Sequence, residues 1–553
     1  MENQVLRTAR TGCTCREFLF YLYFAIMLLT KGFGLADGRI YKLALLASGG
    51  LVLLKLISDG LNAVQWMIVI MLLILGVLDM RLAGNQAVMV CVLAVLSVRG
   101  IDLRRAFGMA AGIWGGAMVL QILWHLLHLE TTDFVIHNKA FTGYIIRWSL
   151  GYVHPNVLMI TCCVFLFYLY YALDMRGRRT KLIIFLTALL GAAYLFLYSV
   201  SLTGVILFIL FYAFLLYFEA NRKWGRTPGR IEQFLLLCIF PSAVFLSVVV
   251  PFLFEGEALY QFSRLFTHRP RLSRYFMENY GIALLGRSFP ELPSSITLDC
   301  AYVNLLEYGG VLSFALMCIA YWLLIRRLLS AEPDRTRSVS LAMTFAVLIA
   351  AMSEPFAFNT SYKNPTLFLI GMMLYEKTDG FSCRSLLPDA AAAWGDRCIP
   401  LPAAAPIFWR DGIERCVQTA EKQVSPGKNR LVRCLAGTAA GFLAAVFCAV
   451  FLRLPGRVYA LRSSCDTDTN PESLYLTEGE IARIRERGDW VLNYTDAETP
   501  MLVFDGRLIE YERVRAVCSA FVWFAAPVTG LVWAGQLCRS PASRRPHRCR
   551  RKK

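Results

Sequence analysis

Charge is scarce in this chain. Only 17% of its 553 residues are Asp, Glu, Lys or Arg, and the mean hydropathy is +0.51. A soluble domain carries closer to a quarter charged residues, and together with a dozen or more membrane-length apolar runs this composition leaves no soluble reading. Acidic residues are the scarcer sign, 39 against 57 Lys and Arg, which leaves a formal net charge of +18. Such an excess can signal nucleic acid. Here, however, it falls in short loops between apolar runs and in the tail Arg539–Lys553, the positive-inside pattern of a membrane protein. Nucleic acid is therefore not expected as a partner. The Cys13-Thr-Cys15 motif lacks the second ligand pair that zinc requires, and most of the 17 cysteines sit inside apolar runs as small hydrophobes. Neither a disulfide framework nor a metal site is expected, and no cofactor. No cleavable signal is expected either, because basic, polar Met1–Arg16 leads into a run long enough to stay as a helix.

What the chain has instead is a recurrence of apolar runs, among them Phe18–Leu35, Leu182–Tyr198 and Leu235–Phe254. Each is long enough to cross a hydrocarbon core of about 30 Å as a helix. With loop charge as arbiter, the sequence predicts about fourteen helices. They fall near 18–35, 40–57, 63–79, 86–98, 105–128, 149–173, 182–198, 202–218, 233–254, 301–325, 338–356, 364–376, 434–452 and 516–537. This count puts Arg99–Arg105, Asp174–Lys181, Asn221–Arg230 and Arg326–Arg337 on one side, the cytoplasm, together with both termini. The fold class is an all-α polytopic membrane protein. A twelve-helix core spans 1–376, with a large exterior loop at 255–300. An Ala/Pro-rich cytoplasmic linker at 377–433 follows, then two helices within 434–537 that enclose a small exterior α+β segment at 453–513, then the basic tail 538–553. Within that segment Thr477-Glu-Gly-Glu480 reads as a capping box, and Val491–Tyr494 and Met501–Phe504 read as strands.

The polar residues that remain cluster on the exterior side. The 255–300 loop carries Arg264, Arg269, Arg271 and Arg274 within eleven residues, where arginine should be depleted. Two readings fit: a basic helix in solvent or on anionic headgroups, or an anion clamp built on the guanidinium fork. Asp299, Tyr302 and Glu307 enter the tenth helix at the outer face. An interfacial carboxylate there is either a working group or the structural partner of a nearby arginine. The sixth helix opens with Arg147, His154, Pro155 and Asn156. His154 reads as a structural histidine or as one that bonds a polar ligand. Ser201 and Thr203 form a tight turn, and Glu354, Lys363 and Asn364 lie between the eleventh and twelfth helices. Glu354 and Lys363 would pair with each other on the simplest reading. No polar cluster is expected mid-membrane, and no internal repeat relates the halves, which argues against a transporter.

In this order, Gly151-Tyr-Val-His-Pro-Asn156, Ser201-Leu-Thr-Gly204, Thr267-His-Arg269 with Gly286, Leu298-Asp-Cys-Ala-Tyr302 with Glu307-Tyr-Gly309, and Glu354 with Asn364-Pro365 form a pattern. Over residues 1–376 the chain resembles the O-antigen polymerase and O-antigen ligase superfamily of bacterial envelopes. The resemblance implies a GT-C-type membrane glycosyltransferase of the bacterial plasma membrane that works without metal. It would move a growing glycan from an undecaprenyl diphosphate carrier onto the next lipid-linked unit. A chain-length regulator and a flippase of the same surface-polysaccharide pathway are the implied partners. Arg269, helped by Arg147 and Arg271, would hold the diphosphate, Asp299 would be the base, and His154 is the reserve candidate. Asn156, Ser201, Thr203, Arg274, Tyr302, Glu307, Glu354 and Asn364 would line the substrate site. Two departures matter. Asp299-Cys300 stands where ligases carry a His-Asn pair, which favours polymerase over ligase, and Leu202 stands where the family's turn often has Arg. A flippase of the same glycans is the rival class.

Overall fold

The computed structural model describes residues 12–35, 38–127, 134–139, 143–173, 178–254, 256–265, 269–289, 298–380 and 389–400. Beyond those it describes the short stretches 437–443, 459–462, 473–475, 500–503 and 517–525, with 446 and 515. The chain divides into two compact units, Met1–Phe134 with Trp148–Thr419, and Val135–Arg147 with Ala420–Lys553.

The first unit opens with strand β1 (Gly12–Thr14) and continues through α1 (Cys15–Gly32), α2 (Gly38–Ser58), α3 (Ala63–Ala83), α4 (Ala87–Leu96) and α5 (Leu103–Leu127). Past the hairpin strands β2 (Phe134–Lys139) and β3 (Gly143–Trp148), which fall almost wholly in the second unit, the first continues with α6 (Pro155–Ala172), α7 (Arg178–Ser199), α8 (Leu202–Lys223) and α9 (Arg230–Val248). Then follow a single turn α10 (Val250–Leu253), α11 (Gly256–Leu265), α12 (Arg269–Tyr280), α13 (Ala301–Ser330), α14 (Arg335–Ala350) and α15 (Thr366–Thr378). A short α16 (Asp389–Gly395) and β4 (Cys398–Pro400) close the unit. Among the described residues, seven helices are long and apolar enough to cross a bilayer: α2, α3, α5, α6, α8, α9 and α13. Their outward faces carry Leu46, Met67 and Phe234 at 75%, 65% and 64% exposure, side chains that water would not tolerate in such density. The protein is a polytopic helical membrane protein.

Why the helices stand where they do is read from their ends. Thr14 caps α1 through a reciprocal box with Glu17, and Asn62 does the same for α3 with Gln65. Asn62 and Gln65 also bond the end of α15, through the Thr378 carbonyl and the Asp379 carboxylate at 3.0 and 2.7 Å. At the same end of the bundle Lys55, buried in α2, donates to Asp59 at 2.5 Å and to the Arg99 carbonyl at 2.9 Å. The core between these helices is aromatic: Phe24 meets Phe368 and Phe107 meets Tyr168, both at 5.0 Å between ring centres, joining α1, α5, α6 and α15. Helix α14 packs along α8 and is buried on nearly all sides. Its hydroxyls bond its own turns, Ser340 to the Thr336 carbonyl at 2.8 Å and Thr344 to the Ser340 carbonyl at 2.7 Å. That internal bonding lets a polar sequence be buried without orphaned donors.

Several expectations change. The sixth predicted helix starts at Pro155 and not near 149, because His154 is its N-cap and residues 149–154 are turns. The segment 129–148 holds a hairpin, and 255–300 holds α11 and α12. The predicted helix over 233–254 ends at Val248, and residues 250–253 form a separate turn. The start of the predicted linker is folded onto the core: β4 pairs antiparallel with β1, Arg16 pairs with Asp396, and Gly395 lies against Ser58. Helix α13 is broken at Gly310, where φ is +74°, and the amides of Val311 and Leu312 leave the helix to bond the carbonyls of Ala283 and Leu284 at 3.0 and 3.1 Å.

In the second unit, strands β5 (Tyr459–Arg462), β6 (Ser473–Tyr475) and β7 (Pro500–Val503) form an antiparallel sheet in the order β6-β5-β7. Helical residues 437–443 and 517–525 approach closely where Gly441 lies against Ala525 and the Phe521 carbonyl. The predicted capping box at Thr477 and the strand Val491–Tyr494 lie outside the described residues.

Candidate functional site

Five residues far apart in sequence meet at one end of the first unit. Asn156 stands at the start of α6, Thr203 at the start of α8, Arg269 at the start of α12, Asp299 just before α13, and Glu354 just after α14. The meeting point is the Glu354 carboxylate. It accepts from Asn156 Nδ2 at 2.8 Å and from Arg269 Nη2 at 3.0 Å, with the Thr203 hydroxyl close by. The Arg269 Nε donates to Asp299 Oδ2 at 3.4 Å. Arg269 is thus held between two carboxylates of different exposure, Glu354 at 8% and Asp299 at 36%. Glu354 anchors the guanidinium from inside, and Asp299 is the more open of the two carboxylates. Among the described residues, Arg269 Nη1 has no partner, so its two N–H donors are available.

Local sequence explains the convergence. Ser201, fully buried, caps α8 by accepting from the Gly204 amide at 3.2 Å, which sets Thr203 in the first turn. Gly204 lies directly against the Met159 side chain, so a Cβ there would force α8 away from α6 and part Thr203 from Asn156. The His154 Nδ1 accepts from the Asn156 amide at 3.1 Å, so that nitrogen serves the helix start and is not free to take a proton. Among the described residues, three buried ones other than glycine have positive φ, namely Leu150 (48°), Val200 (42°) and Tyr362 (59°). Each lies within a few residues of a site residue, and such strain persists only where surrounding packing imposes it.

Other predicted site residues are engaged elsewhere. Tyr302 is buried and donates to the Leu348 carbonyl at 2.6 Å. Glu307 is buried and paired with Arg287. Asn364 Nδ2 donates to the Tyr321 hydroxyl and the Ala357 carbonyl, both at 2.8 Å, and its Oδ1 accepts from Thr366. Arg274 donates to Glu278 at 2.6 Å and to the Phe254 carbonyl at 2.7 Å. These four hold the scaffold. Arg271 is exposed on α12, and Arg147 is buried in β3, within the second unit. Thr267 and His268 lie outside the described residues.

Lys363 was read as the partner of Glu354, but it makes no ion pair with it, because Arg269 and Asn156 take that carboxylate. Lys363 is buried, following the strained Tyr362, and its electrostatic neighbours are Lys31 and Glu354. Burial, then repulsion from Lys31, lowers its pKa to about 7, with Glu354 opposing. Burial likewise raises the Glu354 carboxyl above the usual range, with Arg269 pulling it down and Asp299 pushing it up. The unfolded chain binds a proton at Lys363 up to about pH 10. Folding therefore releases one between about pH 7 and that value, and this term makes stability rise with pH across that window. Lys363→Met is expected to flatten the dependence, which thermal unfolding of the detergent-solubilised protein from pH 7 to 10 would read. An unchanged slope would show that Lys363 stays charged in the fold.

No family model, curated protein or solved structure matches this chain.

Proposed function

We propose that the chain polymerises undecaprenyl-diphosphate-linked oligosaccharide units during synthesis of a bacterial surface polysaccharide. The observation that carries this reading is the Arg269 clamp, which joins a cation with spare donors to one reachable carboxylate. A guanidinium fork suits the two charged oxygens of a departing diphosphate, whose growing negative charge is the largest electrostatic demand of the transfer. Asp299 then accepts the proton of the attacking sugar hydroxyl, and Glu354, Asn156 and Thr203 fix the arginine before substrate arrives. No step requires a metal or cofactor.

In this reading twelve helices of the first unit lie in the bacterial plasma membrane, both termini are cytoplasmic and the Arg269 site faces the exterior. A flippase that delivers the units and a regulator of chain length are the functional partners. The resemblance of residues 1–376 to O-antigen polymerases and ligases supports the substrate class, and Asp299 in place of a ligase His supports the polymerase. The test is a cell-free reaction of purified protein with an undecaprenyl diphosphate oligosaccharide. A ladder of longer lipid-linked glycans is expected. Transfer only to a different acceptor would indicate a ligase, and movement of unextended substrate across a proteoliposome would indicate a flippase.

A further inference from the structure

A second polar cluster lies around the break in α13, away from the Arg269 clamp in its bonding. Asp79, in the last turn of α3, is 2% exposed, and its Oδ1 has no hydrogen-bond partner. No described cation offsets its charge. Its Oδ1 and the Tyr308 carbonyl oxygen both face the Cα of Gly286, where any Cβ would collide with them. Two oxygens turned toward one point with no donor between them repel, and burial removes the water that would separate them.

The break supplies the rest. In an unbroken helix the amides of Val311 and Leu312 would bond the carbonyls of Glu307 and Tyr308, four residues earlier. They bond Ala283 and Leu284 instead, so those two carbonyls lose their ordinary helical donors, and that of Tyr308 lies with Asp79 Oδ1 beside Gly286. Glu307 is paired with Arg287, yet its Oε1 is buried without a partner. Leu75, Leu78, Leu285 and Leu312 line the apolar groove next to this cluster, between α3 and α13. The result is a buried group of oxygen atoms at a discontinuous helix.

The geometry points to a monovalent cation site of the sodium class, held by Asp79 and the Tyr308 carbonyl at the break in α13. Freed carbonyls of a broken helix together with a carboxylate are how membrane proteins strip and hold a small cation. Charge balance sets the valence. The Glu307–Arg287 pair is neutral, so Asp79 leaves one negative charge, which one monovalent ion cancels and a divalent ion would overshoot. Gly286 is required because any side chain at this position would collide with Asp79 Oδ1 and the Tyr308 carbonyl and push the two oxygens apart.

The experiment is thermal unfolding of the purified full-length protein in detergent at 1 and 100 mM sodium chloride, with choline chloride holding ionic strength constant. Binding to the folded state alone is expected to raise the midpoint by about 2–4 °C across that range. Asp79→Asn should abolish the rise without lowering the midpoint measured in choline. Broadening of the sodium NMR line by the unmodified protein, reversed by lithium, gives a readout that needs no variant. Equal midpoints in sodium and choline would overturn the site and mean that Asp79 carries a proton bonded to the Tyr308 carbonyl. An undiminished sodium effect in a folded Asp79→Asn variant would overturn it as well.

Discussion

Arg269→Ala is expected to abolish glycan extension while substrate is still delivered to the membrane. The guanidinium is the only group in the described site that touches both carboxylates, and its free Nη1 is the donor left for an incoming anion. Losing one such charge-assisted contact in a water-poor site costs about 2–4 kcal/mol in the transition state, a rate loss of about 30- to 1,000-fold. Alanine also strands Glu354, which is buried, so protein level has to be measured beside activity. Arg269→Lys separates the two effects. It keeps a positive charge beside Glu354 and therefore stability, but it cannot grip Glu354 and two phosphate oxygens together, so extension should stay well below normal. Full activity of the alanine variant at matched membrane levels would remove Arg269 from the site.

Asp299→Asn should lose extension by about 10²- to 10⁴-fold with little change in stability or in affinity for the lipid-linked substrate. The amide keeps the shape and still accepts from Arg269 Nε, but it cannot take a proton. The stability expectation follows from exposure, since a pair this open contributes on the order of 1 kcal/mol or less. Parallel loss of folding and binding would instead make Asp299 a structural partner of Arg269. Glycans of normal length from the variant would exclude it as the base. His154, the earlier alternative, is ill placed to replace it because its Nδ1 caps α6, and Glu354 is then the group to test.

Much of the helix layout was legible because a bilayer imposes length and apolarity on every span, and the runs near 40–57, 63–79 and 202–218 display both. The site was legible only in part. Arginine in the 255–300 segment and carboxylates at helix ends stood out as misplaced charge, and three of them meet. Which carboxylate holds and which is offered could not be read, because their exposure is decided by packing between α6, α8 and α14. Glu307 read as an outer-face carboxylate lining the substrate site, and its arginine partner lies twenty residues upstream in a segment with no periodicity to announce it. The fold-back of 389–400 was missed for a related reason. A three-residue strand pairs through backbone amides, and an Ala/Pro-rich composition hides that capacity.

Helix α14 bears on how the chain is made. Its sixteen residues span only about 24 Å and begin with two arginines around a threonine, and its interior is rich in Ser and Thr. Presented alone to the insertion machinery, such a segment has little reason to leave water for lipid. It becomes favourable only against α8, which emerges from the ribosome more than a hundred residues earlier. Entry of α14 is therefore a step of assembly on a partner already in place, and damage to α8 should surface as failed integration of a helix the ribosome has not yet synthesised.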